Sequence, residues 1–201
     1  MNIPRGLCLA LLGASFIFTP GSAASAPATN AEILIERTFL PFGAAPSSFA
    51  IGLPGGVNFC FDPVRGGVSY AWTGGFIDVA PVRPGMGKRL TAAGLLGPVV
   101  YREAGSAPLR RGDPARPSVV EFRGYMLRGD AVEFRYTLDS IPVREEVRAR
   151  AGGGGLTRRF QVGGTADAKW WYVTDAKPAV ALTPAPDGAL TLDVGFERPA
   201  P

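Results

Sequence analysis

From Glu32 onward, apolar residues recur in short runs with a period of two. In the stretch 132–138, Val132, Phe134, Tyr136 and Leu138 fall on one side of an extended chain, and Glu133, Arg135 and Thr137 on the other. That alternation marks a half-buried strand. The stretch 190–197 repeats it, with Leu190, Leu192, Val194 and Phe196 opposite Thr191, Asp193 and Glu197. Eleven segments have this character: EILIERTFL, SFAIGL, VNFCF, VSYAW, FIDVA, VVEFRGYML, AVEFRYTL, VREEVRA, LTRRFQV, KWWYV and ALTLDVGF. All are short and rich in Val, Ile, Phe, Tyr or Thr. Turn material separates them: PGG at 54–56, RGG at 65–67, RGD at 128–130, GGGG at 152–155, GGTAD at 163–167 and PAPDG at 184–188. The turn within LRGDAV, 127–132, predicts a hairpin. Nothing after the first segment sustains a helical period over three turns. The pattern predicts an all-β chain, an antiparallel two-sheet β-sandwich rather than a closed barrel.

One region breaks the rhythm. Between Ala80 and Ser118 there are six prolines and frequent glycine, and LLGPVVY is its one possible strand. From Arg83 to Arg128 nine Lys and Arg face three acids, a local charge of +6 within a chain of net +4. A long Pro/Gly-rich basic loop inside a compact domain is usually functional or mobile. An acidic partner surface or an anionic glycan suits its charge, and a solvated loop is the plain alternative.

The first segment has the layout of a secretory signal. Arg5 supplies the positive start, 7–18 is an apolar run too short to span a bilayer, and Ser22-Ala23-Ala24 offers small residues for cleavage. The expected organisation is a signal peptide over 1–24, a short linker over 25–31 and a single β-sandwich domain over 32–198. The expected location is periplasmic or secreted, with no membrane span in the mature chain and no nucleic acid as partner. Cys8 would leave with the signal, so Cys60 would have no internal disulfide partner. Inside VNFCFD it reads as a small buried hydrophobe.

The chain contains no histidine. That excludes Ser-His-Asp and Cys-His relays, His-ligated zinc and a haem ligand of the usual kind supplied by this chain. No cofactor and no metal site are expected, and no catalytic residue is assigned in the leading reading. Carboxylate-pair hydrolysis remains open, with two of Asp62, Asp78, Glu145 and Glu146 as acid and base of a carbohydrate-active enzyme. The RGD triplet reads as a hairpin turn, and neither GVNFCFD nor GGGG has the strand-to-helix context of a phosphate loop.

Candidate binding residues come from two aromatic stretches. In YAWTGGFIDVAP, 70–81, Val68, Tyr70 and Trp72 would alternate on one strand face and Gly74-Gly75 would turn the chain. Tyr70, Trp72, Phe76 and Asp78 would then form an aromatic platform beside Arg83, Lys88 and Arg89, suited to a sugar ring or a partner protein. Core packing is the competing reading. In AKWWYV, Trp170 and Trp171 must point to opposite faces, and Trp171 is the candidate contact. Arg158 falls at an inward position between Leu156 and Phe160, and Glu145 falls between Val143 and Val147. A buried guanidinium needs a carboxylate: Asp62, Asp78 and Glu145 are the candidates, and the shared inward position makes a pair of Arg158 with Glu145 the preferred one.

The stretches FAIGLPGGVNFCFDPVRGGVSYAWTGGFIDVAPV, AGLLGPVVY and VVEFRGYMLRGDAVEFRYTLDSIPVREEV resemble an uncharacterised β-rich unit of exported bacterial proteins. That unit is found alongside c-type cytochrome and membrane-associated dehydrogenase-like domains. The resemblance covers pieces of 49–160, and GLPGGVNFCFD and YAWTGGFIDVAP are its most specific parts. It implies an envelope setting and an accessory role near redox or sugar-oxidising machinery, with an envelope protein such as a c-type cytochrome, or a carbohydrate, as partner. It carries no catalytic residues with it. The chain lacks a haem-attachment motif, so a cytochrome would be a separate partner. A purely structural envelope protein is a third expectation, and it predicts neither a pocket nor an exposed aromatic cluster.

Overall fold

A computed structural model describes residues 31–82, 91–103, 105, 107–152, 154–164, 168–174 and 177–196. Fifteen strands run through it: β1 Leu34–Arg37, β2 Phe49–Leu53, β3 Val57–Asp62, β4 Gly67–Thr73, β5 Ile77–Asp78, β6 Gly94–Leu95, β7 Val99–Arg102, β8 Leu109–Arg111, β9 Val120–Arg128, β10 Ala131–Leu138, β11 Ile141–Ala149, β12 Gly155–Val162, β13 Trp170–Thr174, β14 Lys177–Leu182 and β15 Leu190–Gly195. A single turn of 3-10 helix, Ala80–Val82, is the one helical element among the described residues. None of their helices is long and apolar enough to cross a membrane.

The strands form the expected all-β sandwich. One five-stranded antiparallel sheet has the order β1-β2-β3-β4-β7, and the other has the order β15-β12-β11-β10-β9. Their facing sides share one apolar core, in which Phe61 of β3 stacks on Phe134 of β10 at 3.7 Å and Phe59 meets the same ring edge-on at 6.2 Å. Each fully buried side chain of this size contributes about 1.5–3 kcal/mol. The alternation read from the sequence holds: Val132, Phe134, Tyr136 and Leu138 are all buried, as are Leu190 and Val194. The predicted hairpin is present as the β9–β10 pair, with Gly129 at φ 62° in a two-residue loop. The next hairpin, β10–β11, turns on Asp139 and Ser140, both at positive φ as a type I′ turn requires.

A smaller sheet, β14-β13-β8, adds Leu109, Trp170, Tyr172 and Leu182 to the same core. Of its three strands the sequence pattern marks only β13. Pro178 lies within β14, where it is tolerated because the strand is a sheet edge, and β8 is three residues of the basic stretch.

The first sheet is covered on both sides, since every residue of β2 and β3 is buried. Its outer side carries a second cluster of Leu40, Ala44, Ala50, Cys60, Tyr70, Trp72 and Ala93. The parity of β4 departs from the simple alternation. Cys60 pairs with Tyr70 but Phe61 pairs with Val68, so Ser69 is an extra residue in a β-bulge. Val68 therefore faces the main core, whereas Tyr70 and Trp72 face the outer cluster. The predicted single face of Val68, Tyr70 and Trp72 is corrected by that one inserted residue.

Candidate functional site

The predicted pair of Arg158 and Glu145 is the centre of a larger buried network. On the adjacent strands β11 and β12, Val147 is paired with Arg158 and Glu145 with Phe160, which makes the two charged residues diagonal neighbours on the inward face. Arg158 Nε donates to Glu145 Oε1 at 2.6 Å, and the second oxygen of Glu145 accepts from Tyr136 Oη at 2.9 Å. Glu103, just beyond β7, reaches the same guanidinium: its Oε2 accepts from Arg158 Nη1 at 3.3 Å and from Tyr101 Oη at 2.9 Å. Tyr172 Oη donates to Oε1 of Glu103 at 2.6 Å and also accepts from Arg158 Nη1. Both ion pairs are fully withdrawn from water. One guanidinium between two carboxylates leaves an excess negative charge if both acids ionise. Burial pushes the Glu103 carboxyl above its usual range, against the pull of Arg158 and the two tyrosines.

Gly67 is required by this packing. A Cβ there would lie 2.8 Å from Pro108 Cγ and 3.4 Å from Arg158 Nη2.

Glu103 also lines a cavity of about 160 Å³ on the outer side of the first sheet. Four chain segments meet there: the turn Phe42–Gly43–Ala44 from the β1–β2 connection, Asp62 at the end of β3 with Arg65 just beyond it, Ser69 and Tyr70 at the bulge of β4, and Arg102 with Glu103 at the end of β7. The bulge makes the site. It brings Ser69 Oγ to accept from Arg65 Nη1 at 3.0 Å, and that same nitrogen donates to the Glu103 carbonyl at 2.9 Å. The bulge is itself held by the Glu103 amide, which donates to the Ser69 carbonyl at 2.8 Å.

The charges of the lining are unequal in their freedom. Asp62 is saturated locally: it accepts from the amides of Val64 at 2.9 Å, Arg65 at 3.3 Å and Ala45 at 3.2 Å. Arg65 is different, because its Nε and Nη2 are out of water with no acceptor in the described protein. Tyr70 Oη is also buried, with the weak thiol of Cys60 beside it. That thiol is pushed up to about 12 by burial, which makes Cys60 the inert packing residue its sequence context suggests.

At the rim stands Phe42, 53% exposed and at φ 61°. Phe42 and Gly43, both at positive φ, form the centre of a turn closed by the Ala44 amide on the Pro41 carbonyl at 3.4 Å. A bulky residue in this backbone region is strained, by about 1–3 kcal/mol. Its ring is fixed by two contacts: the Arg102 guanidinium carbon lies 3.8 Å from its centroid, and Tyr70 meets it edge-on at 5.2 Å.

Residues 59–145 match DUF6797, a domain of unknown function. No curated protein and no solved structure matches the chain. The matched stretch holds Asp62, Arg65, Ser69, Tyr70, Arg102, Glu103 and Glu145, whereas Phe42, Arg158 and Tyr172 lie outside it.

Of the residues singled out from the sequence, Tyr70 and Asp62 line the cavity. Trp72 is fully buried, and its Nε1 donates to the carbonyls of Gly75 at 3.1 Å and Phe76 at 2.9 Å. Phe76 stacks on Trp72 at 6.4 Å. These rings pack against one another and against the outer cluster, so the exposed platform is not formed by Tyr70 and Trp72. Asp78 is exposed and accepts from the Ala80 amide at 2.9 Å, at the start of the 3-10 turn. Trp171 points away from the core that takes Trp170, and its Nε1 donates to the Gly112 carbonyl at 2.8 Å. Arg83, Lys88 and Arg89 lie outside the described residues.

The acid and base pair considered for hydrolysis is not assembled from its four candidates. Glu145 is sealed in the core by Arg158 and Tyr136, and Asp62 is occupied by backbone amides. Glu146 points to the other face of β11 and pairs with Arg148, and Asp78 caps a turn. Phe42, Arg65, Arg102 and Glu103 were not marked by the sequence. The FDPVRGG turn signature was visible, but not the bulge that folds Arg65 back onto Ser69.

Proposed function

We propose that the chain is an exported, non-catalytic recognition module of the bacterial periplasm, which binds an envelope protein or a carbohydrate at the mouth of the Phe42–Arg102 cavity. A c-type cytochrome or a dehydrogenase is the protein partner that the resemblance suggests. The observation that carries the reading is an exposed, strained aromatic, with the Arg102 guanidinium over its ring, at the rim of one small cavity. Backbone strain costs stability, and it clusters at sites where a ligand or partner makes use of it. The carboxylates considered for hydrolysis are engaged in internal pairing and turn formation, which favours binding over the hydrolytic alternative.

The test is affinity recovery of the tagged chain from the envelope fraction of its own host, with co-purifying proteins and glycans both identified. A stoichiometric cytochrome or dehydrogenase supports the protein arm, and a defined bound glycan supports the carbohydrate arm. Recovery of the chain alone, with no protein or glycan attached, sinks the proposal.

A further inference from the structure

Away from the cavity, the sheet edges differ in how they are protected. An edge strand offers unpaired backbone groups to any extended chain, and folds blunt it by shortness, proline or charge. β1 and β7 have four residues each, β8 has three and β15 six, and β14 carries Pro178. β9 ends its sheet with nine residues and no proline, the longest edge among the described residues. On that side of the sheet it has β10 as its partner and nothing beyond.

The side chains of β9 define what such an edge accepts. Phe122, Tyr125 and Leu127 stand opposite Tyr136, Phe134 and Val132, so they share the core face. The first sheet covers that face unevenly. Phe122 packs against Phe49 at 5.7 Å and Phe61 at 6.0 Å, whereas Tyr125 and Leu127 are 43% and 55% exposed although they point the way of the core. Glu121 and Arg128 lie on the other face, near opposite ends of the strand, and both are exposed. Their ion pairs are with neighbours in the same sheet, Glu121 with Arg123 at 2.5 Å and Arg128 with Glu133 at 3.3 Å. Between them Arg123 is the extra residue of a bulge, and Gly124, at φ 138°, has open space where a Cβ would stand.

These positions are self-complementary. An antiparallel copy of β9, related by a two-fold axis midway between Gly124 and Tyr125, sets Glu121 opposite Arg128 of the copy, Phe122 opposite its Leu127 and Tyr125 over its bare Gly124. The symmetry forms each pair twice. Opposite charges meet at both ends, the exposed apolar residues cover one another on the core side, and a ring laid over an edge glycine is a favourable cross-strand pair. Sliding the register by two residues loses the match. One direction sets Arg123 opposite Arg128, and the other leaves Arg128 opposite Val119.

We infer that β9 is a self-association edge, at which two copies of this chain pair β9 to β9 in that register and join their five-stranded sheets into one continuous sheet across the axis. The residues that make this contact are distinct from those lining the cavity, so the pairing stands or falls independently of recognition there.

The experiment is sedimentation of the purified protein over a range of concentrations, together with two charge reversals at exposed positions, Glu121→Arg and Arg128→Glu. The expected result is a concentration-dependent dimer for the parent chain. Each reversal alone sets like charges opposite one another twice, which should weaken the dimer about tenfold. An equimolar mixture of the two variants should restore it. In the mixed dimer the two reversed positions face each other with opposite charge, and so do the two native ones. A parent chain that stays monomeric at every concentration overturns the inference and leaves the edge to a strand of another protein. A dimer that neither reversal weakens overturns it too, because association then uses another surface. So does a pair of weakened variants whose mixture fails to recover, since the register is then wrong.

Discussion

Arg158 and Arg65 both hold nitrogens away from water, but their surroundings differ in kind. Around Arg158 the fold supplies acceptors from four strands or their ends: Glu145, Glu103 and Tyr172 take its Nε and Nη1, Tyr136 completes Glu145, and Nη2 is left without an acceptor in the described protein. Around Arg65 only Nη1 is used, and Nε and Nη2 have no acceptor in the described protein. Glu103 touches both, through its carboxylate on one side and its carbonyl on the other. Arg158 is held by two carboxylates and Arg65 by a hydroxyl and a carbonyl, so the first is the stronger structural tie and the second a lighter one at the edge of the cavity. The closed site fixes where β7, β11, β12 and β13 meet, and the open site takes its position from that fixed frame.

The largest expected effect tests this contrast directly. Arg158→Met strands two buried carboxyl groups, so unfolding by urea should show a loss of about 3–5 kcal/mol. Arg65→Met removes two hydrogen bonds but also two orphan donors, and its cost should stay within about 1 kcal/mol. Equal losses for the two variants would break the comparison, because Arg65 would then be as structural as Arg158.

A smaller effect comes from the shared residue and depends on pH. Burial raises the Glu103 carboxyl above its ordinary 4.5, so the folded state binds that proton more tightly than the unfolded state does. Where the folded state holds more protons, stability falls as pH rises. The decline should begin near 4.5 and end once Glu103 ionises in the fold. Asp139 and Asp187 act in the opposite sense and in a lower window. The amides of Val119 and Ala189 hold them below their ordinary 3.8, so their contribution is lost as pH falls through that range. Glu103→Gln should flatten the decline above 4.5 and leave the acid side unchanged, as read from urea midpoints across pH. A decline that persists in Glu103→Gln would assign it to another group.

The closed site was half legible in the sequence, and the reason is geometric. A period of two places Arg158 and Glu145 among apolar neighbours, and a charge at an inward position demands a partner on the next strand. Glu103 and Tyr172 are separated by 69 residues and meet only through the packing of different sheets, which no local pattern encodes. The sandwich itself was legible because its strands alternate, and β14 and β8 were not, since one contains a proline and the other is three residues long. The open site was hidden by a single residue. The bulge at Ser69 reverses the parity of β4, which sends Tyr70 and Trp72 to the outer cluster and brings Ser69 to Arg65. Phe42 gave no signal at all, because a Phe-Gly pair in a connection does not announce that the phenylalanine takes the left-handed backbone.

The smallest effect on stability is expected where the effect on binding should still be visible. Phe42 is strained at φ 61°, is 53% exposed, and packs at the rim against Arg102 and Tyr70. Asparagine tolerates that backbone, so Phe42→Asn relieves about 1 kcal/mol of strain while losing a similar amount of ring contact. Thermal and urea unfolding should therefore place the variant within about 1 kcal/mol of the parent. Recovery of the envelope partner or glycan should weaken, because the rim aromatic is gone and Arg102 loses the ring that orients it. A stability loss of several kcal/mol would instead make the turn a structural pin, with its strain outweighed by packing and no ligand needed to account for it. A neutral stability together with weakened recovery of the partner or glycan would mean that the strained turn is kept for recognition at the cavity mouth.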